Sequence, residues 1–236
     1  MTFNEEYKKY KLLVQDELSQ IENLILNIVS PRKELKQSLA KFLTAQSKRI
    51  RPVISLLYLK ALNIKITPQI IKMLAAIEVI HSASLIHDDI IDESDFRRGE
   101  KTISGNFGNK LGVISGDYLL SLAMGLISEL KSIDILADIS DTICHMCIGE
   151  INQNFELYKI GTIEDYIEKS KNKTAYLFKS ALVSSLILIN AQKTLIDEAS
   201  EFMLNFGIAF QIRDDLLNLT KSDSTKPYGN DIAEGI

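Results

Sequence analysis

Proline, glycine and cysteine are scarce in these 236 residues: four, eleven and two respectively. So few helix breakers, with no Gly/Ser-rich linker, low-complexity tract or internal repeat, argue against a solenoid or a disordered chain and leave one domain over 1–236 as the default. The two cysteines, Cys144 and Cys147, flank His145, and no second Cys/His cluster exists to complete a tetrahedral zinc site. They are expected as buried thiols in a helix, in a reducing, cytoplasmic compartment. Basic charge is in deficit: a net charge of −4 and a pI near 5.5 argue against nucleic acid as a partner. The N-terminus has no signal-peptide apolar core. The most apolar stretch, Ala181 to Ala191, is shorter than a membrane span and is interrupted by Ser184, Ser185 and Asn190. Neither secretion nor a transmembrane segment is expected.

Hydrophobic residues make up 46% of the chain and charged residues 25%, enough to bury a large core. Apolar residues recur at helical spacing, as in Ile196, Ala199, Met203, Phe206 and Phe210. The chain reads as all-α, with helices over about 4–28, 31–46, 52–62, 68–95, 108–130, 133–156, 163–190 and 194–221. Ser30-Pro31 and Thr67-Pro68 each pair an N-cap residue with a proline suited to a first turn. Lys221 to Gly229 reads as a loop. Long apolar helices packed together form a bundle whose cavity takes side chains from several helices.

Asp88-Asp89-Ile90-Ile91-Asp92 is followed at once by Glu93 and Asp95 and then by Arg97-Arg98. On a helix, Asp88 and Asp92 lie one turn apart on one face, where bare carboxylates repel. Divalent cations bridging to phosphate oxygens relieve that repulsion, so the pattern points to diphosphate chemistry. Taken alone, the run is equally readable as a solvated acidic face. A second acidic pair, Asp214-Asp215, sits in the apolar run Phe210 to Asn218, where buried carboxylates need cations or basic partners. Lys48, Arg49 and Arg51 precede Pro52, and cations near a helix N-terminus suit a phosphate. His81 lies two turns before Asp88 on the same face.

Together these segments resemble, in order, the motifs of trans-type polyprenyl diphosphate synthases, and among them the long-chain, octaprenyl-diphosphate-synthase-like members. Glu78 to Gly99 is similar to the family's first aspartate-rich region. QSKRIRP resembles GGKRLRP, and Gly116-Asp117-Tyr118-Leu119 resembles GDFL. Gly149-Glu150 with Gln153 resembles GE..Q, Lys173-Thr174-Ala175 KTA, and Phe210 to Asn218 FQIxDDxxD. The resemblance implies an isoprenoid-synthase-type helical bundle with a central cavity. It implies Mg²⁺-assisted ionisation of an allylic diphosphate such as farnesyl diphosphate and condensation with isopentenyl diphosphate. Asp88, Asp92, Asp214 and Asp215 would hold Mg²⁺, with Asp89 assisting. Arg97, Lys173, Lys226, Thr174 and Gln211 would surround the allylic diphosphate. Lys48, Arg51, His81 and Arg98 would take isopentenyl diphosphate. A homodimer is likewise implied.

Ala83 and Ser84, five and four residues before Asp88, are small where short-chain members carry an aromatic stopper, which implies a long all-trans product. The sequence departs from the family at Gln46 and Ser47, which replace two glycines, and at Asn218, where the second motif usually ends in aspartate. Ile236 stands where the family has lysine, and the family's last C-terminal helices are expected to be missing. Two other functions share parts of the pattern. A class I terpene cyclase ionises a diphosphate with metals but has no use for an isopentenyl diphosphate pocket. A non-catalytic subunit of a hetero-oligomeric prenyl synthase would fit a short C-terminus.

Overall fold

Thr67 caps the helix that organises the first half of the chain: its hydroxyl accepts from the Ile70 amide, with Pro68 in the first helical position, as the sequence predicts. The computed structural model describes residues 3–28, 32–44, 48–97, 99–159 and 161–219. Ser30-Pro31, Gln46, Ser47, Arg98, Lys226 and the loop after Lys221 lie outside them. Helices dominate, and the chain divides into two compact units, Met1–Ser132 and Ile133–Ile236.

The first unit contains α1 (Phe3–Leu12), α2 (Gln15–Ile28), α3 (Lys33–Thr44), α4 (Ile50–Ala61) and α5 (Pro68–Ile91). A two-stranded hairpin of β1 (Phe96–Arg97) and β2 (Glu100–Lys101) follows, then α6 (Ile103–Phe107) and α7 (Asn109–Ser128). The helix expected over 4–28 is broken at Leu13-Val14. Val14 turns into the core with Leu18, Ile21 and Ile25, a stripe that α1, carrying Lys8, Lys9 and Lys11, does not continue. Central α5 packs against α2, α4, α6 and α7. It is apolar all round, as a helix surrounded by others must be, from Ile70 through Ile86. By length and composition alone α5 and α7 are both long and apolar enough to cross a membrane, a test that the core helix of a bundle also passes. In α5, 72% of the apolar window is buried inside the protein, against 39% in α7.

A helix expected to run to residue 95 stops at Ile91. Glu93 adopts a left-handed conformation (φ 48°), the Ser94 amide reaches Asp89 O and the Glu93 amide reaches Ile90 O. This is a C-terminal capping motif with glutamate in the place usually held by glycine. The chain then doubles back through the hairpin, which the all-α reading did not anticipate because its strands are only two residues long. Gly116 of α7 lies against the His87 ring, where a Cβ would fall 2.2 Å from Nε2.

The second unit holds α8 (Ile133–Phe155), α9 (Ile163–Ser170), a π-helical turn (Lys171–Ala175), α10 (Tyr176–Ile187) and α11 (Lys193–Leu219). The single helix expected over 163–190 is therefore widened in its middle. Buried Ile135, Ile139, Thr142, Gly149 and Gln153 form the inner stripe of α8. Cys144 and Cys147 fall off that stripe, so both thiols are exposed rather than buried. Burial of its surroundings and the neighbouring Cys144 still push the Cys147 thiol up from its ordinary value. Thr162 and Asp165 form a capping box at the start of α9. Hydrogen bonds from the Thr162 backbone and side chain hold the Asp165 carboxyl below its ordinary value. A carboxylate depressed by folding stabilises above its unfolded value, about 3.9, and loses that contribution as pH falls through the lower folded value. The N-terminus of α9 is thus expected to fray on acidification below about pH 4. The Thr162 amide resonance, followed by NMR, reports it; a flat titration would contradict the box.

Candidate functional site

Each unit carries one acidic segment of the predicted chemistry. In the first, Asp88 and Asp92 are half-buried on the final turn of α5, with the Asp92 amide bonded to Asp88 O, so the one-turn spacing read from the sequence holds. Asp89 points inward, 1% exposed, and accepts from Arg97 Nε at 2.6 Å across the hairpin. Its other oxygen is buried without a hydrogen-bond partner. Burial raises the Asp89 carboxyl above its ordinary value, and the Arg97 guanidinium opposes the shift. An uncompensated buried charge is costly, so the hairpin's first task is to deliver Arg97 to Asp89.

Arg97 also lines a cavity of about 440 Å³ with Arg49, His81, Ser82, Lys101 and Thr102. His81, predicted as a ligand, is on this wall. Of the other cations assigned with it, Lys48 is exposed beside α4, its carbonyl accepting from the Tyr7 hydroxyl, and Arg51 lies in the first turn of α4. Neither lines the cavity, and Arg98 is outside the described residues. Arg49, which sequence reasoning counted but gave no role, takes their place. It is left-handed (φ 54°) and 4% exposed, donates to Glu78 Oε2 at 3.0 Å and Leu43 O at 2.6 Å, and lies 3.6 Å from Glu22. The clue was available: Glu78, 2% exposed, sits among apolar residues of α5 and demands a cation. Burial lowers Arg51 from its ordinary value and the Glu78 carboxylate opposes it.

In the second unit, three motifs far apart in sequence converge on the π-turn. Lys173 Nζ lies 2.7 Å from Glu150 Oε2 and donates to Gln153 Oε1 at 3.2 Å. Thr174 Oγ1 donates to Gln211 Oε1 at 2.6 Å, and Gln211 Nε2 donates to Asp215 Oδ1 at 2.7 Å. The Tyr166 hydroxyl donates to Asp215 Oδ2 at 2.6 Å. One residue before Lys173, Asn172 Oδ1 bonds His145 Nδ1 at 2.9 Å, and the imidazole stacks on Tyr176. Widened helical turns of this kind concentrate at functional sites, because they turn side chains out of the ordinary helical sequence. Tyr166 and Asn172 were missed from sequence, and His145 was weighed only with its flanking cysteines as an incomplete metal site; none belongs to a quoted motif, and only a lone tyrosine amid the charges of α9 hinted at the first. Asp214 is half-buried on α11; Lys226 is not described.

Among the described residues no three His, Cys, Asp or Glu side chains gather closely enough to hold a metal by themselves. The donor set nevertheless suits Mg²⁺, which keeps several waters and binds through one or two carboxylates together with substrate phosphates. Asp88 and Asp92 are such a pair of hard oxygen donors. Asp215 has both oxygens engaged by protein donors, which a metal would have to displace.

A family model described as Polyprenyl synthetase matches residues 32–236. The chloroplastic solanesyl-diphosphate synthase 2 of Oryza sativa subsp. japonica is 33% identical over 232 residues, which cover 94% of this chain and 58% of the rice protein. The chain thus spans little more than half of that relative. A decaprenyl diphosphate synthase from Rhodobacter capsulatus shares the fold with a TM-score of 0.89 at 27% identity, over 97% of this chain and 72% of the other. A polyprenyl synthase from Caulobacter crescentus CB15, complexed with calcium and isoprenyl diphosphate, gives 0.88 at 26% identity, over 97% and 70%.

Proposed function

The chain belongs to the polyprenyl synthetase family, and we propose that it is a trans-prenyltransferase, condensing an allylic diphosphate with isopentenyl diphosphate into a long-chain all-trans polyprenyl diphosphate. The observation that carries this reading is the convergence of Glu150, Gln153, Lys173, Thr174, Gln211 and Asp215 on one π-turn. There Lys173 supplies a cation, the kind of group that diphosphate oxygens bind, beside the Thr174 hydroxyl that Gln211 holds in place. Lys173 and Thr174 would bind the allylic diphosphate, with Arg97 and Lys226 adding positive charge. His81 and Arg49, on the cavity wall, would hold isopentenyl diphosphate; the family resemblance adds Lys48, Arg51 and Arg98 to that set. Asp88, Asp92 and Asp214 would hold Mg²⁺. When bound, Mg²⁺ stabilises the negative charge that develops on the departing diphosphate. Orientation and fixed charge supply the rest, and no protein nucleophile is invoked.

Small Ala83, 3% exposed, and half-buried Ser84 support a long product, as does the solanesyl and decaprenyl chemistry of the named relatives. Leu111, Val113 and Ile114 present an outward apolar face on α7 that supports homodimerisation. Two free, exposed thiols support a reducing compartment such as the cytoplasm. Incubation with Mg²⁺, farnesyl diphosphate and radiolabelled isopentenyl diphosphate is expected to give labelled product well beyond one added unit. A hydrocarbon formed without isopentenyl uptake, or no product until a partner protein is added, would overturn the proposal.

A further inference from the structure

We infer that Lys41 and Lys101 are further binding residues for the diphosphate of isopentenyl diphosphate, supplying the charge that the cavity's arginines do not. The inference rests on the reading above, in which that substrate occupies the cavity lined by His81 and Arg49. Neither lysine belongs to a motif by which this sequence resembles the family. They reach the cavity wall from separate elements, Lys41 from α3 and Lys101 from β2.

Charge balance singles them out. Arg49 is committed to buried Glu78 at 3.0 Å, and Arg97 to buried Asp89 at 2.6 Å. Each carboxylate offsets its arginine, so toward the cavity either pair presents a dipole rather than a full charge. Glu100, the single carboxylate among the described residues of the wall, stands cross-strand from Arg97 and lowers the balance further. A diphosphate is multiply charged and only accepts hydrogen bonds, so it calls for cations with donors to spare. Among the described residues, no hydrogen-bonding or ionic partner engages the ammonium group of Lys41 or Lys101. Each therefore offers three N–H donors and an uncancelled charge. The fold places both lysines without using that charge. Arg49 Nη2 donates to Leu43 O at 2.6 Å and so pins the end of α3 that carries Lys41. Beside Lys101, buried Thr102 caps α6 through the Gly105 amide and sends its own amide to Asp95 O. A cleft whose uncancelled charges share one sign concentrates their field on an entering anion.

The test is Lys41→Met and Lys101→Met in the full chain with Mg²⁺ present, each of which keeps the apolar stem and deletes the charge. Either substitution is expected to raise the KM for isopentenyl diphosphate about 5- to 15-fold, toward the low end for a hydrogen bond to a charged group because both lysines face solvent. The KM for farnesyl diphosphate should not change. Calorimetric titration with isopentenyl diphosphate alone, which has no allylic partner to react with, should show the same fold-loss in affinity. Lys101→Arg should keep most of that affinity. Added salt should weaken binding to the parent more steeply than to the double variant. Melting temperatures should stay within about 2 °C of the parent, since both side chains lie at the surface. Lys110→Met, exposed and off the cavity wall, should move neither KM. An unchanged KM for isopentenyl diphosphate in either variant overturns the inference. So does a rise confined to farnesyl diphosphate or shared equally by both substrates. A parent protein that never takes up isopentenyl diphosphate would instead overturn the proposed function, so the two failures are distinguishable.

Discussion

Asp88→Asn is expected to lower kcat for prenyl transfer by about 10³-fold while leaving the melting temperature unchanged or slightly higher. The two halves of this expectation have one cause. Asp88, Asp89 and Asp92 crowd the C-terminal turn of α5, the end at which aligned peptide dipoles already place negative charge. A carboxylate there is disfavoured by about 0.3–1 kcal/mol, and like charges one turn apart add to the cost. Evolution retains such placements when the charge has work to do that outweighs its effect on stability. Asparagine keeps the shape and removes the charge, so the fold is relieved and the proposed metal site loses a hard ligand. Steady-state rates at saturating Mg²⁺, read with a thermal melt, check both halves. Mg²⁺ should also raise the melting temperature of the parent through binding to the folded state, and do so less for the variant. A rate loss below tenfold would contradict the role given to Asp88.

Gly207→Ala is expected to destabilise the protein by about 1–3 kcal/mol, or roughly 2–12 °C in melting temperature. At Gly207, α11 crosses the π-turn so closely that an added Cβ would lie 2.5 Å from Ala175 Cα and 2.7 Å from its Cβ. Neither atom is the end of a flexible side chain, so only backbone movement makes room. That movement displaces the two residues before Ala175, namely Lys173 and Thr174. Activity is therefore expected to fall below the melting transition as well as through it. Gly125→Ala is the control: it is also helical, but an added Cβ meets nothing within 4 Å. There alanine should stabilise by about 0.5–1 kcal/mol by removing backbone freedom from the unfolded chain. Equal effects of the two substitutions would argue against the close crossing.

The helices of this fold were largely legible because apolar spacing and the Thr67-Pro68 cap are local signals. What escaped was set by contacts distant in sequence. Nothing near Glu93 announces a left-handed residue; the stop at Ile91 arises because the chain must turn for Arg97 to reach Asp89. The π-turn escaped for a similar reason, since a uniform 3.6-residue period over 163–190 hides one extra residue. At the site, the motifs named the right segments but not their wiring. Lys173, Thr174, Gln211 and Asp215 were singled out as separate groups, whereas Tyr166 is recognisable only once α9 and α11 are side by side. Cys144 and Cys147 were misplaced because residue type was weighed above position relative to the Ile135–Ile139–Thr142 stripe.

The π-turn also governs where this chain can change its length. The Tyr176 amide reaches back five residues to Lys171 O, so α10 begins out of step with α9. A residue inserted or deleted between Ile163 and Ile187 would rotate everything after it by about 100°. Phe178, Ala181 and Leu182, all but fully enclosed, would be swung away from their neighbours. In the exposed connection before Thr162 the same change is absorbed by the backbone. Length variation among relatives should gather there, with the rod from Ile163 onward counted to the residue.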